Sequence, residues 1–312
     1  MLDSASKAFF HTLAQSGLLK TLASRYGMRS PRSFARRFIA GETVDEAIEA
    51  ARAVEAQGLM HTLDLLGESV TSLEQAAWAT QQYLAMVEAI AKAGIGRGVS
   101  LKLTQLGLDV DKATAVDNLR RILERAEPAG FFIRVDMENS PYTDITLEIF
   151  ETLWDQGHRE IGVVLQSALY RSEKDLARMN ALGASVRLVK GAYKEPASVA
   201  YQRKADVDAA FLRMVKALLT DGHRPAVATH DAAMIDATRR WAQEQQIAAE
   251  RFEFQMLYGI RRDLQSQLVR DGYRMRVYIP FGREWFPYFM RRLGERPANV
   301  WFVVRGIAGE TR

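Results

Sequence analysis

Ser185-Val-Arg-Leu-Val-Lys190-Gly-Ala-Tyr-Lys-Glu-Pro196 begins as a short apolar, β-branched run and ends in charges. The run reads as a buried strand. Arg187 lies inside it, and Lys190 and Tyr193 lie just beyond it. A guanidinium carried on a buried strand has to be paired or face a ligand, because an isolated charge taken out of water costs several kcal/mol. Gly191 lets the backbone turn sharply or approach a ligand closely at that point. The stretch therefore reads as a strand that opens into the mouth of a site.

Runs of the same kind recur at 59–66, 99–103, 131–135, 161–165, 186–189, 226–228, 252–257 and 275–279. Between them apolar residues fall at three- and four-residue spacing, as over 73–93, 145–154 and 207–219, which predicts helices. Strands alternating with helices make a parallel sheet covered by helices, and eight such units predict closure into a (βα)8 TIM-like barrel of the α/β class. The rival is an open doubly wound sheet that binds a dinucleotide, and it requires a glycine-rich turn after its first strand. The nearest candidate, Gly94-Ile-Gly96-Arg-Gly98, has the wrong spacing and precedes a strand, so it reads as a helix stop and a loop. Residues 1–45 fall outside the repeat. There Phe9, Phe10, Leu13, Leu18, Leu19 and Leu22 pattern the amphipathic helices of an N-terminal arm, punctuated by Pro31 and Gly41, and 46–312 form the barrel domain.

Composition narrows the class. With 312 residues, 48% hydrophobic and 26% charged, the chain has the make-up of a soluble protein with a sizeable core. The absence of cysteine excludes disulfides, thiolate metal sites, a cysteine nucleophile and a flavin tethered through sulfur, and no metal-ligand set stands out. The 42 basic residues are interspersed with 38 acidic ones, a mixed solvated surface that predicts no nucleic-acid partner. Asp3 and Lys7 precede any apolar run, which does not fit a signal peptide, and no apolar stretch is long enough to span a bilayer. A cytoplasmic protein is the expectation.

In a closed α/β barrel the chemistry sits where the strands end. Strand two ends at Lys102 among leucines and strand three at Asp136. Strand four ends at Gln166, strand five supplies Arg187 and Lys190, strand six ends at Thr229 and His230, and strand eight ends in Val-Tyr-Ile-Pro with Tyr278. Each has an ordinary alternative. Lys102 can run its stem along apolar surface to water, Asp136 can cap the next helix, Gln166 can be a satisfied core amide, and His230 with Asp231 can open a helix. Their recurrence at corresponding strand ends carries the functional reading. Towards the end of the chain Tyr288, Arg291, Arg292 and Glu295 fall on one face of a helix, beside an apolar stripe of Trp285, Phe289 and Leu293, with Pro287 in the first turn. This is either a solvated face with an Arg291–Glu295 pair or a guanidinium fork for a carboxylate or phosphate.

These motifs, Ser-Leu-Lys-Leu-Thr, Arg-Val-Asp-Met-Glu, Val-Leu-Gln-Ser, Val-Arg-Leu-Val-Lys-Gly-Ala-Tyr, Ala-Thr-His, Phe-Glu-Phe-Gln-Met-Leu, Tyr-Ile-Pro-Phe-Gly and Tyr-Phe-Met-Arg-Arg-Leu, resemble in order those of proline dehydrogenase, most closely the short monofunctional bacterial type. The resemblance implies a distorted barrel with a last helix over the active site, non-covalent FAD, and oxidation of L-proline to Δ1-pyrroline-5-carboxylate. It implies that Arg291, Arg292 and Lys102 hold the proline carboxylate, with Asp136 pairing with and orienting these cations. Tyr193, Leu257, Tyr278 and Tyr288 would wall the ring, and Arg187 would lie near flavin N5, with Gln166 and the backbone of Met137 close by. Lys190, Gly191, Ala192, Thr229 and His230 would contact the rest of the cofactor, and Glu295 its ribityl chain.

The resemblance further implies a quinone as electron acceptor, peripheral membrane contact for which Phe9, Phe10, Leu18 and Leu19 near Lys7 and Lys20 offer an interfacial helix, and a separate pyrroline-5-carboxylate dehydrogenase for the next step. Hydride loss requires the neutral amine, yet no general base stands out. Asp136 near cations should sit low in pKa and act as an orienter. Two other classes fit parts of the pattern: an aldolase using Lys102 as a Schiff-base nucleophile, and a barrel binding an anion or nucleic acid through Arg32, Arg36, Arg37, Arg261 and Arg262.

Overall fold

The computed structural model describes residues 34–294, so the arm residues Phe9 to Leu22, Pro31, Arg32 and Glu295 lie outside the described part. Eight parallel strands close into a barrel in chain order: β1 Met60–Leu65, β2 Gly98–Leu101, β3 Phe132–Val135, β4 Ile161–Gln166, β5 Ser185–Val189, β6 His223–Ala228, β7 Glu253–Leu257 and β8 Arg274–Phe281. β8 returns to β1 in a continuous register from Met60↔Arg276 to Leu65↔Phe281. That pairing carries β8 past the point where the sequence suggested it ends, so Tyr278 lies within the strand, level with Thr62 and Leu257.

Local chemistry sets the helix ends. Helix α1, Val44–Glu55, starts at a reciprocal cap: Glu46 N–H donates to the Thr43 hydroxyl at 3.3 Å, and the Glu46 carboxylate accepts the Thr43 N–H at 3.1 Å. The helix therefore crosses the boundary at residue 45 drawn from the sequence. Helix α2, Leu73–Ala93, is capped by Ser72 and stopped by Gly94 at φ 68°, after which Gly98 opens β2. The glycine cluster is the stop and loop that its spacing suggested. The wall continues with α3 Lys112–Ala126, α4 Thr143–Asp155, α5 Ser172–Leu182, α6 Lys204–Asp221, α7 Ala232–Glu244 and α8 Arg262–Arg270, one after each strand.

Strand residues such as Leu63, Leu101, Ile133, Val163, Leu188 and Val227 are fully buried in one large apolar core with the helices. The alternate residues point into the barrel, where the core is polar: Asp64, Ser100, Arg134, Gln166, Ser185, Arg187 and Gln255 are all buried. Hydrogen bonds join them across the interior. Charges buried this way are tolerated only when paired or bonded.

Two helices depart from a regular barrel. α1 precedes the first strand and packs on β1 and β8, the seam that the helix after β8 would otherwise cover. That last helix, α9 Trp285–Gly294, instead forms a second apolar cluster in which Trp285, Phe286, Tyr288, Phe289 and Met290 meet Ala35, Phe38, Ile39 and Leu66. Leu66 directly follows β1, so α9 lies over the carboxyl-terminal mouth. Trp285 anchors it, buried to 1% exposure with its indole N–H donating to Glu42 at 3.1 Å.

Gly162 marks where the barrel tolerates no side chain: a Cβ there would come within 2.6 Å of the Ser185 carbonyl and 2.5 Å of the Arg134 guanidinium. Gly162→Ala is expected to destabilise the fold by about 1–3 kcal/mol through forced displacement of β5, read as a lower urea midpoint at unchanged slope.

Candidate active site

Asp136, one residue past β3, is the hub. Its Oδ1 accepts hydrogen bonds from Ser100 at 2.7 Å and from the Arg187 guanidinium at 2.8 Å, and its Oδ2 accepts one from the Tyr278 hydroxyl at 2.7 Å. Lys102 Nζ stands 3.6 Å from the same carboxylate, and the Arg187 guanidinium lies 5.2 Å from the centre of the Tyr278 ring. Groups from β2, β5 and β8 thus converge on the carboxylate that follows β3. Burial pushes its pKa up, but Lys102, Arg187 and the hydrogen bonds from Tyr278 and Ser100 outweigh that and hold it below the usual range. Asp136 stays ionised.

A second carboxylate, Asp64 on β1, escaped the sequence reading because a single acid in an apolar run carries no periodic signal. It is 1% exposed, 3.7 Å from Lys102, and neither oxygen has a hydrogen-bond partner among the described residues. Burial drives its pKa up against the attraction of Lys102. Lys102 lies between the two acids. Burial favours its neutral form, yet Asp64 and Asp136 together hold its pKa above the ordinary lysine range. Two flanking carboxylates favour the charged form of Lys102, whereas a Schiff-base nucleophile requires the free amine.

The second layer comes from α9. Arg291 is held by Glu68, with contacts of 2.7 and 3.5 Å, and the Arg292 guanidinium lies 5.2 Å from the Tyr288 ring centre. The sequence reading paired Asp136 with Arg291 and Arg292 as well as Lys102. The structure gives Asp136 to Lys102 and Arg187, while Arg291, descending from the lid beside β1, meets Glu68 in the loop after that strand. Glu68 was also missed, since nothing local distinguishes a loop glutamate. Tyr193 stands between the layers: burial raises its hydroxyl to about 12, moderated by Lys102 and Arg291.

The remaining residues line the β4–β7 side. Gln166 donates to the Glu138 carbonyl at 2.8 Å, and Gly191, at φ 112°, lies so close that a Cβ would stand 3.3 Å from the Gln166 side-chain oxygen. Met137 is buried, while Gly191 and Ala192 are exposed. Lys190 bonds Asp208 at 2.5 Å and Asp231 at 2.7 Å, and Asp231 also caps α7, as its position after His230 suggested. Thr229 accepts the Asp231 N–H at 3.1 Å, and His230 Nε2 accepts the Leu257 N–H at 2.9 Å. Leu257 ends β7, level with Tyr278 in the strand register. Of the arginines considered for an anion or nucleic-acid surface, Arg36 is paired with Glu46 and Arg261 with Asp263; Arg32 lies outside the described residues.

This arrangement of Lys102, Asp136, Arg187 and Tyr278 under an arginine-bearing helix can be compared with known proteins. The family model for proline dehydrogenase matches residues 47–305. The chain belongs to the proline dehydrogenase family. It is 41% identical over 302 residues to proline dehydrogenase 2 of Bacillus subtilis (strain 168), spanning 97% of this chain and 98% of that one. It is 46% identical over 279 residues to proline dehydrogenase of Deinococcus radiodurans, spanning 88% and 90%. Among solved structures, proline utilization A from Bdellovibrio bacteriovorus, inactivated by N-propargylglycine, superposes with a TM-score of 0.78 at 30% identity, covering 83% of this chain but 32% of that longer protein. As a member of the family the protein is an oxidoreductase that carries out the first step of proline catabolism. Among the described residues no helix is long and apolar enough to cross a membrane.

Because Asp136 titrates lower when folded than when unfolded, it contributes stability above the unfolded carboxylate value of about 4. That contribution is lost as pH falls from there through the lower folded value. Asp136→Asn is expected to flatten this acid limb. By leaving Lys102 and Arg187 short of a counter-charge, it should also destabilise the protein by about 3–5 kcal/mol at neutral pH, with urea unfolding across pH reading both effects.

Proposed function

We propose that the site binds FAD non-covalently and oxidises L-proline to Δ1-pyrroline-5-carboxylate by hydride transfer to flavin N5. The observation that carries this reading is Arg187: its guanidinium is fixed to Asp136 on one side, while its buried Nε has no hydrogen-bond partner among the described residues. A buried cation held with one donor to spare suits a group on which negative charge develops. The donor set fits the cofactor. Gln166, Arg187, the backbone of Met137, Lys190, Gly191, Ala192, Thr229 and His230 would hold it, with Glu295 added from outside the described residues. Bound there, FAD supplies the two-electron acceptor for the hydride that leaves C5 of proline.

The chain's own residues do the rest. Arg291 and Arg292 on the lid and Lys102 below grip the substrate carboxylate. Glu68 occupies Arg291 in the structure, so substrate entry exchanges one carboxylate for another at that guanidinium. Tyr193, Leu257, Tyr278 and Tyr288 press on the pyrrolidine ring and exclude water, which places the reacting carbon in near-attack geometry. The concentration of cations disfavours a protonated substrate amine, so the site selects the neutral form that hydride loss requires. Asp136, ionised, bonded by three donors and ion-paired with Lys102, orients Lys102 and Arg187. Asp136→Asn that lost its basic-limb ionisation while binding a carboxylate analogue normally would instead make it the base.

The further course of the electrons rests on the family resemblance. A quinone takes them from the reduced cofactor, the arm makes peripheral contact with the membrane from the cytoplasmic side, and the product passes to a separate dehydrogenase.

The purified protein should be yellow and bleach when L-proline is added without oxygen; a colourless preparation that FAD does not restore ends the flavin reading. Arg187→Met should slow anaerobic flavin reduction by about 100-fold with a smaller change in proline affinity, measured by stopped-flow absorbance. Arg291→Met and Arg292→Met should each raise KM for proline by about 10- to 100-fold, the worth of a charge-assisted hydrogen bond, with kcat less affected; the steady-state split between the two constants checks this.

A further inference from the structure

The amino-terminal end of the barrel, opposite the site described above, holds a cavity of about 300 Å³ among the first residues of β3, β5, β6, β7 and β8. Arg134, Arg224, Arg251, Arg274 and Arg276 line it, with Arg187 at its inner end, and Glu253 is the one carboxylate in the lining. The charges do not balance. Arg276 takes Glu253 in a two-pronged contact of 2.7 and 3.0 Å, Arg274 reaches the same carboxylate at 4.0 Å, and Arg224 is paired with Glu160. Among the described residues no carboxylate pairs with Arg134 or Arg251.

Arg134 is the decisive group. It is 5% exposed, and its guanidinium bonds only neutral acceptors: the carbonyls of Val163 at 3.0 Å and Ser185 at 2.7 Å, and the Ser185 hydroxyl at 3.0 Å. Burial and the neighbouring guanidinium of Arg187 push its pKa well below the ordinary arginine range, and the attraction of Glu253 and Asp136, neither of which forms an ion pair with it, does not offset them. The backbone around it is built with unusual care. Arg224 adopts the left-handed conformation at φ 45°, which a non-glycine residue rarely takes. Between β5 and β6 the register shifts at Ser185/Arg187. That irregularity brings the Ser185 hydroxyl to both Arg134 and the Arg224 carbonyl, and it puts the guanidiniums of Arg134 and Arg224 over the one ring of Phe132, at 4.8 and 6.0 Å.

The geometry points to a binding site for a small, multiply charged oxyanion of the phosphate class at the amino-terminal mouth of the barrel, with Arg134 as its inner anchor and Arg251 and Arg274 at its rim. Guanidinium forks match the paired oxygens of such an anion, and a multivalent ligand neutralises the excess that Glu253 leaves. The site is independent of the flavin reaction, since it opens at the other end of the barrel. Its one link to that chemistry is Arg187, which lines the cavity and bonds Asp136.

The test uses the FAD-loaded protein, so that the cofactor's own phosphate site is filled. Inorganic phosphate and glycerol phosphate are titrated calorimetrically and by thermal unfolding, with sodium chloride at matched ionic strength as reference. Saturable binding and a saturable rise in Tm with either anion, beyond that with chloride, are expected; the two arms separate a site for free phosphate from one that reads a phosphate ester. The double variant Arg251→Ser, Arg274→Ser changes two exposed side chains outside the catalytic machinery. It should weaken the anion by about tenfold or more while leaving proline oxidation unchanged. Arg134→Met, where it folds, should abolish binding. No response beyond chloride, or an identical response in the double variant, overturns the proposal.

Discussion

The structure turns on a constraint of charge: a barrel interior that holds Lys102 and Arg187 must hold Asp136 between them. Removed from water, either cation alone is intolerable, and one carboxylate that accepts three hydrogen bonds and pairs with both cations makes both tolerable. The same arrangement holds the pKa of Lys102 above the ordinary lysine range and leaves the Arg187 Nε without a hydrogen-bond partner among the described residues. The network satisfies its members incompletely, since the Asp64 oxygens and the Arg187 Nε have no hydrogen-bond partner among the described residues. Asp64 adds to the asymmetry: two acids flank one lysine, and burial separates them into an ionised hub and a carboxyl driven towards its neutral form.

The lid follows from a packing decision made far from it. Because α1 takes the seam between β1 and β8, α9 has no wall left to cover, and its apolar stripe closes on Leu66 and the turn around Phe38. That places Arg291 above the mouth, where Glu68 neutralises it. A helix that would be ordinary cladding in a regular barrel becomes the element that brings Arg291 and Arg292 to the mouth of the barrel.

Much of this was legible in the residues. Eight β-branched runs alternating with helical spacing gave the closed barrel, Gly94 read correctly as a helix stop, and the polar strand ends at Lys102, Asp136 and Arg187 meet in one cluster. Other features had no local signature. Asp64 sits in an apolar run like any tolerated acid, and Glu68 is one loop glutamate among many. The pairing of Arg291 with Glu68 joins residues far apart in the chain. The strand register that keeps Tyr278 inside β8 depends on its partner β1.

By itself the sequence determined the period of its hydrophobic pattern, hence the element types, their order and the closed parallel barrel, because those follow from spacing along the chain. It also determined which strand ends carry charge. Only the tertiary structure decided which charge meets which: that Asp136 belongs to Arg187 and Lys102, that Glu68 guards Arg291, and that Arg134 faces a second mouth with neutral acceptors alone. The reason is that ion pairing in a closed barrel is set by strand register and by which helix fills the last seam, and both are contacts between residues that local pattern cannot relate.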